Sequence, residues 1–518
     1  MASPGEKLAQ SLEALHQLQS QGKEIYRSSD FTRTHQERLL ANGFLQKVLQ
    51  GWYIAARPDG RVGESTSWFT SFWKFSAEYL NERFGTDWCL SAEQSIQLHT
   101  GNWTVPRQLL VRSSGGSNKP KELLHGISIF DLRLSVPDKN DIVVLSGMQL
   151  MGLPAALISC SPGFYNDHAV EVRAALMMIS GTFSDLLGRL LDGGHSTVAG
   201  RLAGAFRNIG NIEFADAILE SMRAAGYKVQ ESDPFAEKIK TVLHLREESP
   251  YVNRLRLLWA DMRTDVIKAF PKPPTRKQPA KNFLKTIDEV FVTDAYNSLS
   301  IEGYQVSREL IERVQTGNWN PEGNDQDRDL RNALAARGYW QAFQVVKKSI
   351  ETILTDKNAG SAEVVRKDHH TWYRELFAPS VTAGILAAKD LAGYRTNPVY
   401  IRQSMHVPPN YEAVRRDLMP TLFDLLAEEK EPAVRAVLGH FVFVYIHPYM
   451  DGNGRIARFL MNTMLASGGY SWTVIPVEKR DQYMTVLEEA SVNQNIKPFT
   501  KFLSGLINET RQIDTTQK

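Results

Sequence analysis

The sequence predicts a multidomain, mainly α-helical protein in which a mixed α+β N-terminal part precedes an almost wholly helical C-terminal part. A chain of 518 residues is too long for one hydrophobic core, because single cores stop growing at about 250–300 residues. Apolar residues recur at helical spacing through most of residues 283–512, whereas short apolar runs typical of strands lie in the first half. Four prolines between Phe270 and Asn282 favour an extended connector.

Composition and charge exclude several classes of protein. Hydrophobic residues make up 42% of the chain and charged residues 23%, which is ordinary for a folded globular protein. No basic segment followed by an apolar one opens the chain, and no apolar run reaches the roughly 18 residues that a membrane helix needs. Cys89 and Cys160 stand far apart, which favours reduced structural thiols over a zinc site. We therefore expect a soluble, cytoplasmic protein without a membrane partner.

Residues 1–60 are predicted to form a winged helix-turn-helix. A helical segment ends at Asn42-Gly43, and FLQKVLQGWYIA then indicates two short strands of a wing. The segment resembles AbiEi-type antitoxins, whose motif is matched by Gly43, Leu45, Val48, Gly51, Trp52 and Tyr53.

The resemblance makes DNA a candidate partner of residues 1–60. The side chains that would line a recognition helix are Arg33, Thr34, His35, Gln36 and Arg38. Residues 1–60 hold seven basic and six acidic side chains, which is a poor balance for binding phosphates. A protein interaction surface is the other interpretation of this module.

Three further domains are predicted after the winged helix. Residues 61–227 are expected to form an α+β domain. Its segment LLDGGHSTVAGRLAGAFRNIG resembles the helical ending of AbiEi-type proteins. Residues 228–282 are predicted to be a helical connector with a proline-rich linker, and residues 283–512 the helical domain. His168 and His195 stand alone and are expected to be structural.

The stretch YIHPYMDGNGRIARFL, residues 445–460, joins an apolar helix to a second helix through a short loop. Gly452 and Gly454 allow backbone angles closed to other residues, so successive N–H groups can face one anion. The partial positive charge of the following helix N-terminus adds to the same place. Arg455 and Arg458, three residues apart, share one face of its first turn. The stretch therefore predicts a cradle for two or three phosphates.

Two more side chains of this loop suit chemistry on a bound phosphate. Asp451 offers a hard carboxylate for Mg²⁺, an ion that keeps most of its waters and bridges phosphate oxygens. His447 has an ordinary pKa near neutrality and is suited to take a proton from a hydroxyl.

The stretch resembles the Fic (filamentation induced by cyclic AMP) family, whose motif is HPFx(D/E)GN(G/K)RxxR. The eight matching letters are His447, Pro448, Asp451, Gly452, Asn453, Gly454, Arg455 and Arg458. Tyr449 departs at the third letter. The resemblance covers roughly 283–505 and implies an all-α Fic core that transfers AMP from ATP to a Tyr, Thr or Ser hydroxyl of a target protein or of the chain itself.

The resemblance also implies a role for each matching residue. His447 is the expected general base and Asp451 the expected Mg²⁺ ligand. The main chain of residues 452–454 and the Asn453 amide are expected to form an anion hole. Arg455 and Arg458 are expected to hold the β- and γ-phosphates.

A second Fic element precedes the core. In TDAYNSLSIEGYQV, Ser298, Glu302 and Gly303 fit the inhibitory-helix pattern (S/T)xxxE(G/N) of the family. The match implies that Glu302 pairs with Arg458 where the γ-phosphate should bind, and so restrains the enzyme.

One segment interrupts the helical pattern. GYRTNPVYIRQSMHVPP, residues 393–409, is predicted to form a β-hairpin in which Val399, Tyr400 and Ile401 alternate between faces. It resembles the flap of the Fic family, which implies that it holds a target segment by main-chain pairing.

Two other functions remain open from the sequence. One is a DNA-binding transcriptional regulator or antitoxin-like protein in which the Fic core senses nucleotide. The other is a Fic enzyme that also removes AMP through Glu302. The family resemblance implies that phosphate-transferring relatives have Lys at the G/K position of the motif. Gly454 occupies that position here, which favours AMP transfer. The target protein and the oligomeric state are not predicted.

Overall fold

The computed structural model describes residues 3–56, 58, 65–235, 249–275, 278–318, 330–356 and 358–516. The chain divides into an N-terminal unit, Met1–Arg254 with Tyr400–Val407, and a C-terminal unit, Leu255–Val399 with Pro408–Lys518. The finer division into four domains stays a prediction. Within the described ranges, no helix combines the length and the apolar character needed to cross a bilayer.

The N-terminal unit begins with two helices and a small sheet. The elements are α1 (Pro4–Ser20), β1 (Ile25–Arg27), α2 (Arg33–Ala41), β2 (Leu45–Leu49) and β3 (Trp52–Ala55). Helix α1 begins in a capping box, in which Ser3 and Glu6 each bond the other's main-chain N–H. The antiparallel sheet has the order β1-β3-β2. The two strands expected after Asn42-Gly43 are therefore present as a hairpin.

The rest of this unit combines short strands with helices. Its strands are β4 (Cys89–Leu90), β5 (Gln108–Ser113), β6 (Pro120–Glu122), β7 (Ser128–Arg133), β8 (Ile142–Leu145) and β9 (Met148–Met151). The first four form a sheet in the order β4-β5-β7-β6, and the last two form a hairpin. Its helices are α3 (Thr66–Phe84), α4 (Ala92–His99), α5 (Leu153–Ser159), α6 (Phe164–Asp167), α7 (Ala169–Met177), α8 (Phe183–Asp192), α9 (Ser196–Asn208) and α10 (Ile212–Ala224).

From Pro250 onward the described chain forms helices and no β-strand. The helices are α11 (Pro250–Ala269), α12 (Ala280–Ile301), α13 (Arg308–Thr316), α14 (Leu330–Thr355), α15 (Ser361–Thr382), α16 (Tyr411–Ala413), α17 (Met419–Glu428), α18 (Pro432–Ile446), α19 (Asn453–Ser467), α20 (Arg480–Val492) and α21 (Lys497–Thr516). A π-helical turn, Val414–Leu418, joins α16 to α17.

Helices α18 and α19 form the central hairpin of the C-terminal unit. Leu438 and Phe441 on α18 and Phe459 on α19 are fully buried, and each such side chain contributes about 1.5–3 kcal/mol by leaving water. Gly439 permits close packing, since a Cβ there would lie 3.1 Å from Leu426 and 3.7 Å from Leu460. The loop between α18 and α19 is thus held at both ends by core helices.

The hairpin predicted for residues 393–409 is wrong, because this segment forms turns and extended stretches without a strand. Val399 is buried and Tyr400 is exposed, but Val399, Tyr400 and Ile401 lie in no ladder that a target strand could extend.

The main-chain groups of this segment bond to other parts of the chain, which explains the missing hairpin. Near its start, Arg395 N donates to Pro448 O at 2.9 Å. Within the N-terminal unit, Val105 N donates to Met405 O at 2.9 Å. Since each N–H and C=O has limited bonding capacity, arms that bond elsewhere do not pair with each other.

Candidate active site

His447 ends helix α18 in the left-handed conformation, with φ 52° and ψ 61°. This backbone region is costly for a residue other than glycine, and it is found mostly where the surroundings enforce it. The His447 N–H donates to Phe443 O at 3.0 Å, and Nδ1 lies 3.2 Å from Val444 O. A carbonyl only accepts, so Nδ1 carries the proton and the neutral ring leaves Nε2 as the basic nitrogen.

The surroundings of His447 keep its imidazole neutral. Desolvation by burial lowers the pKa of His447 to about 4, and the charge of Arg395 acts in the same direction. The hydrogen bond to Val444 and the charges of Glu302 and Asp451 oppose this shift without cancelling it. At neutral pH the ring is therefore in the form that a general base needs.

The Asn453 side chain closes the loop that follows His447. Its Oδ1 accepts from Tyr449 N and its Nδ2 donates to Tyr449 O, both at 2.8 Å. Both bonds brace the loop, and the expected part of the Asn453 amide in an anion hole stays a prediction. Gly452 has φ 79°, and a Cβ there would lie 2.8 Å from the Phe377 ring, so both conformation and space require glycine.

Gly454 is needed for space and not for its backbone angles. It lies in the first turn of α19 and is not among the glycines with positive φ, contrary to the expectation from sequence. A Cβ at Gly454 would lie 2.3 Å from Glu302 Oε1 and 3.1 Å from Arg458 Nη1. The missing side chain thus lets a carboxylate reach the N-terminus of α19.

Arg455 is a buried cation with unused donors. Its side chain is 1% exposed, and its Nη2 lies 3.4 Å from Asp451 Oδ2. The guanidinium lies 5.2 Å from the Tyr304 ring centre and 5.1 Å from that of Phe377. Among the described residues, Nε and Nη2 have no hydrogen-bond partner. Buried donors of this kind are normally satisfied, so their geometry fits a bound anion.

Arg458 contacts the two residues that the inhibitory pattern predicts. Its Nε donates to Ser298 Oγ at 2.9 Å, and its Nη2 to Ser298 O at 3.0 Å and to Glu302 Oε1 at 2.7 Å. Burial alone would lower the pKa of Arg458, but Glu302, Tyr483 and Tyr339 raise it overall.

The helix end places Glu302 for this contact. Glu302 caps α12, and Gly303 follows with φ 87°, a left-handed angle suited to a helix C-terminus. Arg458 Nη1 has no hydrogen-bond partner among the described residues. The pair therefore leaves part of the guanidinium unused.

Asp451 fits a Mg²⁺ ion held mainly by phosphate and water. Its side chain is 64% exposed, and its Oδ1 accepts from Gly452 N at 2.6 Å. No group of three or more His, Cys, Asp or Glu side chains in the described ranges is arranged to hold a metal. A single accessible carboxylate is the donor set of an ion that completes its shell from a nucleotide.

The structure adds neighbours of the motif that sequence reasoning missed. The Tyr449 hydroxyl lies 3.0 Å from His370 Nδ1, and its ring stacks on Tyr373 with centroids 3.9 Å apart. The hydroxyl at the departing third letter of the motif thus has a half-buried partner. In the sequence, the Tyr in place of the family's Phe signalled an added hydroxyl that needs a partner. The identity of that partner, His370, was not predictable from sequence.

Helix α2 offers much less as a DNA-binding surface. Four of its five candidate side chains bond within the N-terminal unit: Arg33 with Glu37, His35 with Ser11, Gln36 with Tyr53, and Arg38 with Lys7 O and Ser11. Thr34 is exposed. Side chains held in this way have lost donors that base edges or phosphates would use.

Comparison with known proteins agrees with the motif. Residues 362–465 match the Fic/DOC family model, and this range contains all of His447 to Arg458. Protein adenylyltransferase Fic of Drosophila grimshawi is 26% identical over 304 residues, 58% of this chain and 56% of the relative. The Drosophila willistoni protein of that name is 37% identical over 121 residues, 23% of this chain and 24% of the relative.

These curated relatives are matched over only part of their length, about half in the longer alignment and a quarter in the shorter one. Fic-1 from C. elegans, a solved structure, has a TM-score of 0.38 and 16% identity, covering 64% of this chain and 92% of that one. A Fic domain-containing signalling protein from Bacteroides thetaiotaomicron has a TM-score of 0.35 and 18% identity, covering 49% and 93%. The sequence comparisons therefore show that residues 362–465 match the Fic/DOC family model and that the chain is similar in sequence to proteins named protein adenylyltransferase Fic.

Proposed function

We propose that this protein transfers AMP from ATP to a Tyr, Thr or Ser hydroxyl of a target protein, and that Glu302 restrains the reaction. The observation that supports this proposal best is that buried arginine donors and a neutral imidazole occur together in one motif. Arg455 and Arg458 carry guanidinium N–H groups without partners among the described residues, and His447 presents a basic Nε2 nearby in the same loop. The relatives named protein adenylyltransferase support the same reaction.

The nucleotide phosphates bind at the first turn of α19. The N–H groups there point out of the helix, and the helix dipole favours negative charge. Arg455 supplies charged donors from a buried position, where attraction to phosphate is stronger than in water. Asp451 would hold Mg²⁺, which neutralises phosphate charge when it is bound.

The chemical step needs one proton acceptor. Nε2 of His447 takes the proton of the target hydroxyl, and the hydroxyl oxygen attacks the α-phosphorus of ATP. The bond to the β-phosphate breaks, AMP remains on the target oxygen, and pyrophosphate leaves. The left-handed turn at His447 and the Nδ1 bond to Val444 O hold the ring in one tautomer, so little reorganisation is needed.

Glu302 restrains this reaction by acting as an anion in the phosphate site. Its carboxylate bonds Arg458 and lies 2.3 Å from where a Gly454 Cβ would be. A γ-phosphate at this position would meet a like charge and lose part of the Arg458 guanidinium. ATP then binds in a pose that does not suit transfer.

The regulator alternative has less support. It needs α2 to contact DNA, yet most of its candidate side chains bond within the N-terminal unit. No specific observation favours AMP removal over AMP transfer.

The proposal is tested with ATP labelled at the α- or the γ-phosphate. The Glu302→Gly chain is expected to incorporate the α-label into itself or into a target in cell extract, and to release pyrophosphate. The same chain with His447→Ala is the matched control and is expected to incorporate neither label. Incorporation of the γ-label, or of no label by the Glu302→Gly chain, would overturn the proposal.

A further inference from the structure

Arg395 is a buried arginine beside the motif that lies outside it in sequence. It is 4% exposed. Its Nε donates to His447 O at 2.8 Å and its main-chain N to Pro448 O at 2.9 Å. Its other guanidinium nitrogens donate to Asn397 O and Pro409 O. One side chain therefore joins the loop after α18 to both ends of the segment between residues 397 and 409.

The bond to His447 O falls where the chain needs support. The last carbonyls of a helix have no partner within the helix, and a cation is favoured at this end. His447 also adopts a left-handed angle that costs a non-glycine residue free energy. The rigid, planar guanidinium of an arginine that binds this carbonyl can hold the turn, whereas the single ammonium group on the flexible lysine side chain holds it less well.

We propose that Arg395 is a positioning residue for AMP transfer: it binds the His447 carbonyl and holds the left-handed turn that sets the imidazole in place. The inference rests on the proposed function, because that function makes His447 the general base that Arg395 would position.

The charge of Arg395 has a second consequence for the same ring. After desolvation and the opposing bond to Val444, the charged groups that act on His447 are Arg395, Glu302 and Asp451. Arg395 lowers the pKa of the imidazole, and the two carboxylates raise it. Without Arg395, the carboxylates act unopposed by a cation and favour the protonated ring.

The test compares Arg395→Lys and Arg395→Gln, each with and without Glu302→Gly. Arg435→Gln is the matched control, since Arg435 also donates to carbonyls, those of Glu429 and Lys430, at the other end of α18. The two readouts are steady-state kinetics with ATP and NMR titration of labelled histidine rings without nucleotide or added metal. The His447 signal is identified by its absence in His447→Ala.

For the kinetics, we expect Arg395→Gln in the Glu302→Gly chain to lower kcat about a hundredfold, the cost of a small misplacement of a catalytic group, while KM for ATP changes little. Arg395→Lys should recover part of kcat, and Arg435→Gln should match its parent. A rise in KM with unchanged kcat would show that Arg395 merely supports nucleotide binding, and would overturn the proposal.

For the titration, Arg395→Gln should raise the pKa of His447, and Arg395→Lys should raise it less, because lysine keeps the positive charge. Unchanged His447 titration and unchanged kcat in both Arg395 variants would overturn the inference. If Arg395→Gln fails to fold, Arg395→Lys carries the same two measurements. The ring titration needs no activity, so it still tests the contact if the Glu302→Gly parent transfers no AMP, an outcome that would refute only the proposed function.

Discussion

The first turn of α19 and helix α2 each carry two or more arginines, and from sequence both are candidates for binding phosphates. The side chains of these arginines are bonded differently in the two helices. In α19, Arg455 is almost wholly buried, and its Nε and Nη2 have no hydrogen-bond partner among the described residues. In α2, Arg38 is half-buried and donates to Lys7 O at 2.7 Å and to Ser11 Oγ at 2.9 Å. The same residue type keeps unbonded donors in one helix and bonds a neighbouring helix in the other.

The difference teaches that basic residues in a sequence do not show how their side chains are bonded in the fold. A buried N–H without a partner costs about 1–3 kcal/mol, so a fold keeps it only where a ligand or another requirement repays that cost. A donor bonded to a neighbouring helix already contributes to stability. If the two helices differ in function as they do in bonding, changes in α19 should alter nucleotide binding and changes in α2 should alter only stability.

The largest effect is expected at His447. His447→Ala in the Glu302→Gly chain should abolish transfer, because it removes the Nε2 that takes the hydroxyl proton in the proposed step. Nucleotide affinity should stay close to that of the parent, since α19 supplies the phosphate contacts. Isothermal titration with ATP and a labelled-transfer assay measure the two properties separately. A parallel loss of both would identify His447 as a structural residue of the loop.

The next effect is activation by loss of Glu302. Glu302→Gly should raise the rate at least about tenfold, which corresponds to 1.4 kcal/mol, by freeing Arg458. The double variant with Arg458→Ala should lose this gain, because both changes act on one interaction.

The control for this coupling is Glu289→Gln, an exposed residue of the same helix. Asp294 is unsuitable, because it is buried, bonds Tyr339 at 2.7 Å and interacts with Arg458. Equal activation by Glu289→Gln would mean that charge near the site, and not the specific pair, sets the rate.

Arg455 should contribute to affinity more than to the chemical step. Arg455→Ala removes charge-assisted bonds worth about 1.5–3 kcal/mol, so the Kd for ATP should rise about ten- to a hundredfold. Arg416→Ala, a change at an arginine with a 73% exposed side chain, should leave Kd unchanged. Equal Kd values for all three proteins would remove Arg455 from the site.

The pH dependence should report the low pKa of His447. Because desolvation lowers that pKa to about 4, the ring stays neutral and active well below the ordinary histidine pKa of about 6.5. In the Glu302→Gly chain, kcat/KM should therefore stay level as the pH falls from 7.5 to 5.5. The removed carboxylate raised the pKa in the wild type, so its loss strengthens this expectation. A decline centred near pH 6.5 would contradict it.

The smallest effects are expected in α2. Arg38→Ala should destabilise the N-terminal unit by about 1 kcal/mol through its lost bonds to α1, seen as a lower thermal transition. Arg33→Ala should leave the transition unchanged, because Arg33 pairs only on the exposed surface with Glu37. Neither change should alter the anisotropy of labelled duplex DNA at about 0.1 M salt. A weaker DNA affinity at unchanged stability would restore the recognition-helix interpretation.

Much of the candidate site could be predicted from sequence because its parts are local. His447, Asp451, Gly452 and Arg455 lie within nine positions, and the loop and first turn of α19 that bring them together are encoded by neighbouring residues. The contact between the distant Glu302 and Arg458 was also expected, because Ser298, Glu302 and Gly303 match a family pattern that implies it.

Only the tertiary structure decided how the remaining polar groups are bonded. Residues 393–409 alternate like a hairpin, but Arg395 and Met405 bond to other segments, and a local pattern carries no information about distant partners. For the same reason, the sequence did not show that the Asn453 amide bonds Tyr449. Nor did it show that Glu302 needs the space at Gly454 or that the Tyr449 hydroxyl contacts His370. Sequence determined which residues could perform the chemistry, because side-chain chemistry and helical spacing are local. The structure determined which donors stay unused, because hydrogen-bond satisfaction depends on the whole fold.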